Sequence, residues 1–185
     1  MIFIKNDAAI ERIHQYERQL GINLNKLADA NLNFLLFGGA VRDSLLDKDS
    51  CKDFDIIFLE FPGDLRNVFP NLEHCSASSL TESKFLKGNG YRYRGVKVLD
   101  AMFLKEPEKY YSPLIQLFDV VNHVDVNISG MAYHPYCGII EVIPGASKFI
   151  QRKIFMIHTT ESNYFMDRNE ERIKKFEEDG WLKIN

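Results

Sequence analysis

Cysteine is scarce in this chain of 185 residues: Cys51, Cys75 and Cys137 lie far apart, and no Cys-x-x-Cys spacing occurs. That excludes a disulfide framework and a cysteine-built zinc site, and it leads to the expectation of an intracellular protein. Positive charge is not in excess either, with 23 basic against 26 acidic residues and a formal net charge of −3. A globally basic nucleic-acid-binding surface is therefore not implied. No apolar run reaches the length of a membrane span, and no cationic segment leads into one at the N-terminus, so a soluble cytoplasmic protein without membrane contact is the expectation. Repeats, low-complexity tracts and linkers are lacking as well. What is present is a hydrophobic fraction of 45%, ample for one domain with a small appendage.

The chain reads as alternating helices and strands. Over residues 7–30, Ile10, Ile13, Tyr16 or Glu17, and Leu20 share one helical stripe; Gly21 interrupts it, and Leu24 and Leu27 resume on a second short helix. His14 on this stripe reads as a half-exposed helical histidine. Asp64 is expected to cap a short helix through Phe69, and residues 72–80 are weakly strand-like. Gly88-Asn89-Gly90 gives a turn signal with alternating flanks, which predicts a hairpin whose second strand runs from Tyr91 to Leu104. A helix over 110–121 has Ser112 as cap and Pro113 at its first position. A turn at residues 134–138 precedes a strand over 139–143. A helix over 147–158 carries Ile150, Ile154 and Ile157, and a last amphipathic helix stops at Gly180.

One stretch organises the rest. Phe34 to Phe37 is a short apolar strand, Gly38-Gly39 a sharp turn, and Val41, Leu45 and Leu46 recur at helical spacing. A helix that begins after two glycines presents free N–H groups, which suits a phosphate. Lys52-Asp53-Phe54-Asp55 then opens a second strand. Asp53 and Asp55 are two apart, so both carboxylates leave one face, where they repel each other unless a cation lies between them. Hard divalent ions prefer such oxygen ligands. Asp100 interrupts the apolar run 98–103, and a carboxylate placed there asks for a cation or, at a strand edge, for a Lys or Arg partner.

Gly38-Gly39-Ala40-Val41-Arg42-Asp43 followed by Lys52-Asp53-Phe54-Asp55 resembles the head-domain signature of class II CCA-adding enzymes and bacterial poly(A) polymerases, in the DNA polymerase beta nucleotidyltransferase superfamily. The resemblance covers roughly residues 32–145. It implies an α/β (α+β) fold with a mixed, mainly antiparallel central sheet flanked by helices. It further implies an EC 2.7.7 type reaction that moves an NMP from an NTP to an acceptor hydroxyl and releases pyrophosphate. Asp53 and Asp55 would bind two Mg²⁺ (or Mn²⁺) ions, and Asp100 the ion that activates the acceptor hydroxyl. Gly38, Gly39, Arg42 and, more weakly, Ser44 would meet the triphosphate, Arg42 pairing alternatively with an acidic neighbour and Asp43 being structural.

Asp125-Val-Asn127-Ile-Ser129-Gly-Met131-Ala132-Tyr133 resembles the family's Arg-Arg-Asp segment through Asp125 and its ending, with His123 and Val124 where the two arginines stand. Asp125 is carried over as a nucleotide contact. The last helix matches the place of the family's base-reading helix, which would give that role to Asp167 with Arg168 or Arg172; a solvated charged face is the other reading of the same residues. Lys84, Lys87, Arg92, Arg94 and Lys97 form a local basic group that either contacts triphosphate or RNA or is solvating. Residues 1–157 are read as the head domain with its N-terminal helices, and 158–185 as a helical tail of the same compact unit. The helical body that grips tRNA in the family has no counterpart in these residues. RNA with a tRNA-like 3′ end is the expected acceptor. Transfer to a protein or small molecule, and a non-catalytic nucleotide-binding module, are the alternatives.

Overall fold

The computed structural model describes residues 2–76, 86–157 and 169–184, apart from the side chains of Asn169 and Arg172. Among these residues the main sheet has eight strands: β1 (Ile2–Ile4), β2 (Phe34–Phe37), β3 (Phe54–Phe58), β4 (Glu73–Cys75), β5 (Leu86–Tyr93), β6 (Val96–Leu104), β7 (Met131–His134) and β8 (Gly138–Glu141). Their order is β1-β8-β7-β2-β3-β6-β5-β4, and every neighbouring pair is antiparallel except β3 with β6. This is the expected α+β architecture, a mixed and mainly antiparallel sheet flanked by helices.

The centre of the sheet lies where the apolar sequence is densest. All four residues of β2 are buried, as are Phe54, Ile56, Ile57 and Phe58 of β3. Burying each such side chain is worth roughly 1.5–3 kcal/mol, so β2 and β3 anchor the fold. β1, which the sequence pattern does not announce, adds an edge strand to β8, with Ile2 and Phe3 exposed.

Helix α1 (Asp7–Leu20) starts at Asn6, whose side chain accepts from the Ala9 N–H, and ends at Gly21 in the left-handed region with φ 71°. Both Tyr16 and Glu17 are buried on its inner face. Glu17 accepts from the Leu24 N–H at 2.5 Å and meets His14 Nδ1 at 2.6 Å, which ties α1 to α2 (Leu24–Asp29). Tyr16 donates its hydroxyl to the Lys48 carbonyl, and Gln15 and Gln19 donate to that of Asp49. α1 thereby fixes the loop that delivers the chain to β3. It packs against α3 (Gly39–Leu45), and α4 (Pro113–Asn122) packs against β2.

Two local expectations are corrected. Gly88-Asn89-Gly90 is not a turn but the middle of β5; the reversal falls at Arg94-Gly95, where φ is 52° and 78°. Positive φ at both loop residues is the two-residue hairpin geometry whose twist matches its strands. Gly90 is small for another reason: a Cβ there would come within 2.5 Å of the Ser76 carbonyl oxygen on the neighbouring strand's side. The helix expected over 147–158 is only α5 (Ala146–Gln151); Lys153 has φ 51°, and Ile154 and Phe155 become strand β9 (Ile154–Phe155). β9 pairs in parallel with β10 (Leu182–Lys183), which follows α6 (Asn169–Glu178) and a stop at Gly180 with φ 80°. The ring of Phe176 in α6 lies 5.3 Å from that of Phe155, tilted, and 5.7 Å from that of Trp181, edge to face.

Candidate active site

The C-terminal end of β2 and the N-terminal end of β3 meet because they pair antiparallel, Phe37 opposite Asp55. On the other side β3 pairs in parallel with β6, and Asp55 stands opposite Asp100. Register partners on neighbouring strands point to one face, so the sheet sets these two carboxylates side by side. Asp53, just before β3, opens onto the same cavity. This cavity, of about 400 Å³, is also lined by Gly38, Gly39, Arg42, Asp125 and Ser129, by Lys175 and Phe176 of α6, and by Asp179 just after it.

Gly38 has φ 73° and ψ −130°, a conformation left essentially to glycine. A Cβ on it would lie 3.4 Å from Asp55 Oδ2, so the turn passes directly over that carboxylate. Gly39 is freer, its nearest neighbour for an added Cβ being Arg42 Nη2 at 3.7 Å.

Arg42 pairs with Asp43 through Nη2 at 2.8 Å and Nε at 2.9 Å, and Lys48 reaches the same Asp43 oxygen at 3.2 Å. Its guanidinium also lies over the rings of Phe176 and Trp181, 5.3 and 6.0 Å from their centroids. Of the two expectations for Arg42 the structure displays the acidic partner, and α6 clamps that pair against the cavity wall. Ser44 is a correction. It is fully buried and its hydroxyl donates to the Val41 carbonyl, the usual outlet for a serine inside a helix, so it does not face the cavity.

Burial pushes the Asp53 carboxyl above its ordinary value. Lys52 opposes this, the Asp100 charge adds to it, and Lys97 and Lys175 oppose it. Lys52 Nζ stands 4.0 Å from Asp53 Oδ2. Burial, reinforced by Asp43 and Asp53, pushes the neighbouring Cys51 thiol up to about 12. Cys51 lines the cavity wall, and burial disfavours the thiolate there. Asp100 is 4% exposed, and Lys97 Nζ sits 2.7 Å from its Oδ1.

Asp53, Asp55 and Asp100 thus share a cavity, yet among the described residues no three His, Cys, Asp or Glu side chains converge on one cation position. Asp125 is buried and reaches the cavity wall. Asp167, Arg168 and Lys84 lie outside the described residues, and Arg172 is placed on α6 by its backbone alone. Lys87, Arg92 and Arg94 lie outside the cavity lining, while Lys97 of the same basic group is inside it.

Sequence reasoning missed Lys175 and Asp179 as cavity residues and Lys97 as the partner of Asp100. Lys175 and Asp179 are four apart, the spacing of one helical face, which is a legible signal. Lys97 carries no such signal. Residues three apart on a regular strand point to opposite faces, and only an irregularity in the ladder brings Lys97 and Asp100 together.

No family model matches the sequence, and no curated protein matches it. Solved structures do match the fold. A CCA-adding enzyme in complex with CTP superposes with a TM-score of 0.68 at 18% identity, over 100% of this chain and 44% of that one. The Thermotoga maritima CCA-adding enzyme complexed with tRNA gives 0.68 at 17% identity, over 100% and 44%. The Bacillus stearothermophilus CCA-adding enzyme in complex with CTP gives 0.59 at 18% identity, over 92% and 41%. The fold is therefore one found within CCA-adding enzymes, and the chain spans less than half the length of these proteins it matches.

Proposed function

We propose that this protein is a metal-dependent nucleotidyltransferase that moves a nucleoside monophosphate from an NTP to the 3′ hydroxyl of an RNA, in the cytoplasm. One observation carries the reading. Asp55 and Asp100 are register partners over a cavity that Asp53 enters, and the turn at Gly38 passes directly over the Asp55 carboxylate. Solved structures of the same fold include complexes with CTP, with ATP and with tRNA, which supports NTP and RNA as the ligand classes.

The donor set fits a hard divalent cation. Asp53 and Asp55 offer only carboxylate oxygens, the ligands that Mg²⁺ or Mn²⁺ takes. Such an ion, once bound, would neutralise the triphosphate and polarise its α-phosphorus. The rest falls to the chain itself. Gly38 and Gly39 border the triphosphate with backbone alone. Lys52 and Lys175, with Arg42 behind them, offset its charge. Asp100 and its Lys97 partner stand where the acceptor hydroxyl approaches. Its oxygen bonds the α-phosphorus, the bond to the bridging oxygen breaks, pyrophosphate leaves with that electron pair, and the hydroxyl proton passes to a carboxylate or to water. Asp125, and Asp167 with Arg168 or Arg172, would contact sugar and base, joined by Asp179 just after α6. Lys84, Lys87, Arg92 and Arg94 would meet RNA phosphates.

The test is incubation with each α-labelled NTP, Mg²⁺ or Mn²⁺, and total cellular RNA or protein, followed by a gel. Label on RNA is the expected result. Label on protein would move the acceptor class, and no label with any nucleotide, metal or acceptor would overturn the reading.

A further inference from the structure

Three observations meet at Lys97, and the role they give it rests on the nucleotidyltransferase reading. The first is the ion pair. Lys97 Nζ lies 2.7 Å from Asp100 Oδ1, inside the cavity and on a carboxylate that is 4% exposed. A nearly buried carboxylate so close to an ammonium is held by it strongly, because solvent screens the pair poorly. The second is the backbone that makes the pair. Arg92 of β5 stands opposite Lys97, but the next residue back, Tyr91, stands opposite Leu99. Val98 is therefore an extra residue on β6. A bulge of this kind shifts the alternation by one, so that Lys97 and Asp100, three apart, share a face. Bulges beside active sites serve to re-aim a side chain. The third is the site as a whole: Asp55 and Asp100 are register partners, yet among the described residues no three carboxylates converge on one cation position.

Three acids lining one cavity ask for compensating positive charge. Two divalent ions supply it in two-metal sites, where they stand about 3.5–4 Å apart. Here the fold already brings a close cation to Asp100, at 2.7 Å, whereas the Lys52 ammonium beside Asp53 is exposed and stands 4.0 Å off. A divalent ion on Asp100 would have to approach an oxygen that the ammonium holds, against its repulsion.

We propose that Lys97 takes the place of the second divalent ion. The cavity holds one divalent cation, on Asp53 and Asp55, and the Lys97 ammonium is the fixed cation on the Asp100 side, positioned by the Val98 bulge. Lys97 is thus a positioning residue that sets the metal stoichiometry of the site.

The experiment is a titration of the full chain with Mn²⁺ alone, with free ion read by electron paramagnetic resonance and thermal melts run in parallel. The wild type is expected to bind one Mn²⁺ per chain. Lys97→Met should bind two, and Mn²⁺ should raise its melting temperature more than that of the wild type, because its Asp100 now lacks the ammonium. Lys97→Gln should do the same, which guards against poor folding of one variant, while Lys97→Arg, still cationic, should bind one. Two ions in the wild type, or one in both neutral variants, would overturn the assignment of Lys97 and leave the nucleotidyltransferase reading standing. No ion in the wild type would overturn both, since that reading places a cation on Asp53 and Asp55.

Discussion

Glu141 at the end of β8 and Asp53 at the entrance to β3 are both removed from water to a large degree, and the protein treats them in opposite ways. Glu141 accepts hydrogen bonds from the Gly145 N–H at 2.8 Å, the Ser147 N–H at 3.1 Å and the Ser147 hydroxyl. Burial alone would raise its carboxyl. The hydrogen bonds from Ser147 and Gly145, with Lys148 nearby, outweigh that and hold it below the ordinary value. Among the described residues Asp53 has no such cradle of amides. Burial raises its carboxyl and the Asp100 charge raises it further, against partial relief from Lys52, Lys97 and Lys175. A carboxylate satisfied by its own backbone is a fastener. One kept at a cost, beside another of the same sign, is poised for a cation that the chain does not itself provide in full.

The largest effect should come from breaking the second kind. Asp53→Asn is expected to lower nucleotidyl transfer by about 10²–10³-fold, since an amide replaces a charged metal ligand. It should leave the melting temperature of the metal-free protein unchanged or slightly raised, because it removes a charge that burial and Asp100 disfavour. Mg²⁺ should stabilise the wild type by mass action and the variant much less. Thermal melts of both proteins with and without Mg²⁺, beside the labelled-nucleotide gel, check this. A marked loss of metal-free stability would place Asp53 with Glu141 among the fasteners.

How far each region is legible in the sequence has the same physical basis. β2, the Gly38-Gly39 turn, α3 and β3 can be read from sequence because apolar runs, glycine and the strand period are local signals. Parallel pairing of β3 with β6 is not local, yet Asp100 can be read as a site candidate because a carboxylate inside an apolar run is conspicuous. Strand β1 escapes notice because three residues at a sheet edge, two of them exposed, carry no periodic pattern. Gly88-Asn89-Gly90 misleads because glycine marks both turns and close strand approach, and Gly90 serves the second. The sequence suggests too long an α5 because Ile154 keeps the helical stripe while Lys153 has already left the helix. The bulge at Val98, and with it the pairing of Lys97 to Asp100, depends on how two strands register, which one strand's sequence does not encode.

The comparison is sharpened from its other side by Glu141→Ala. Three donors lose their acceptor, and hydrogen bonds to a charged group are worth about 1.5–3 kcal/mol, so a loss of about 2–3 kcal/mol in urea unfolding is expected. Transfer per folded molecule should be unchanged, because Glu141 does not line the cavity. The pH dependence has a definite sign. A carboxyl lowered by folding contributes stability that is fully present above its unfolded value, about 4.3, and is lost as pH falls through the folded one. The stability gap between wild type and Glu141→Gln should therefore be constant at neutral pH and narrow in acid. A gap that widens in acid would mean that the carboxyl is raised rather than lowered.

The smallest effect separates the two glycines that cross the carboxylate site. Gly38 is needed for its backbone: at φ 73° an L side chain is strained, and an added Cβ would lie 3.4 Å from Asp55 Oδ2. Gly38→Ala should therefore cost about 1–2 kcal/mol of stability, and should weaken nucleotide transfer only through that disturbance. Gly39 lies at the first position of α3 with no positive φ, and an added Cβ there meets nothing nearer than Arg42 Nη2 at 3.7 Å. Gly39→Ala should leave stability within about 0.5 kcal/mol of the wild type, or raise it slightly, because alanine loses less backbone freedom than glycine on entering a helix. If the triphosphate lies against this turn, the same methyl group stands in its way, and the KM for the NTP should rise about tenfold at unchanged melting temperature. The measurement is a pair of urea titrations and an NTP concentration series on each variant. An unchanged KM in Gly39→Ala would show that the triphosphate does not lie against this turn, leaving Asp53 and Asp55 with their cation but moving the phosphates to the Lys52 and Lys175 side of the cavity.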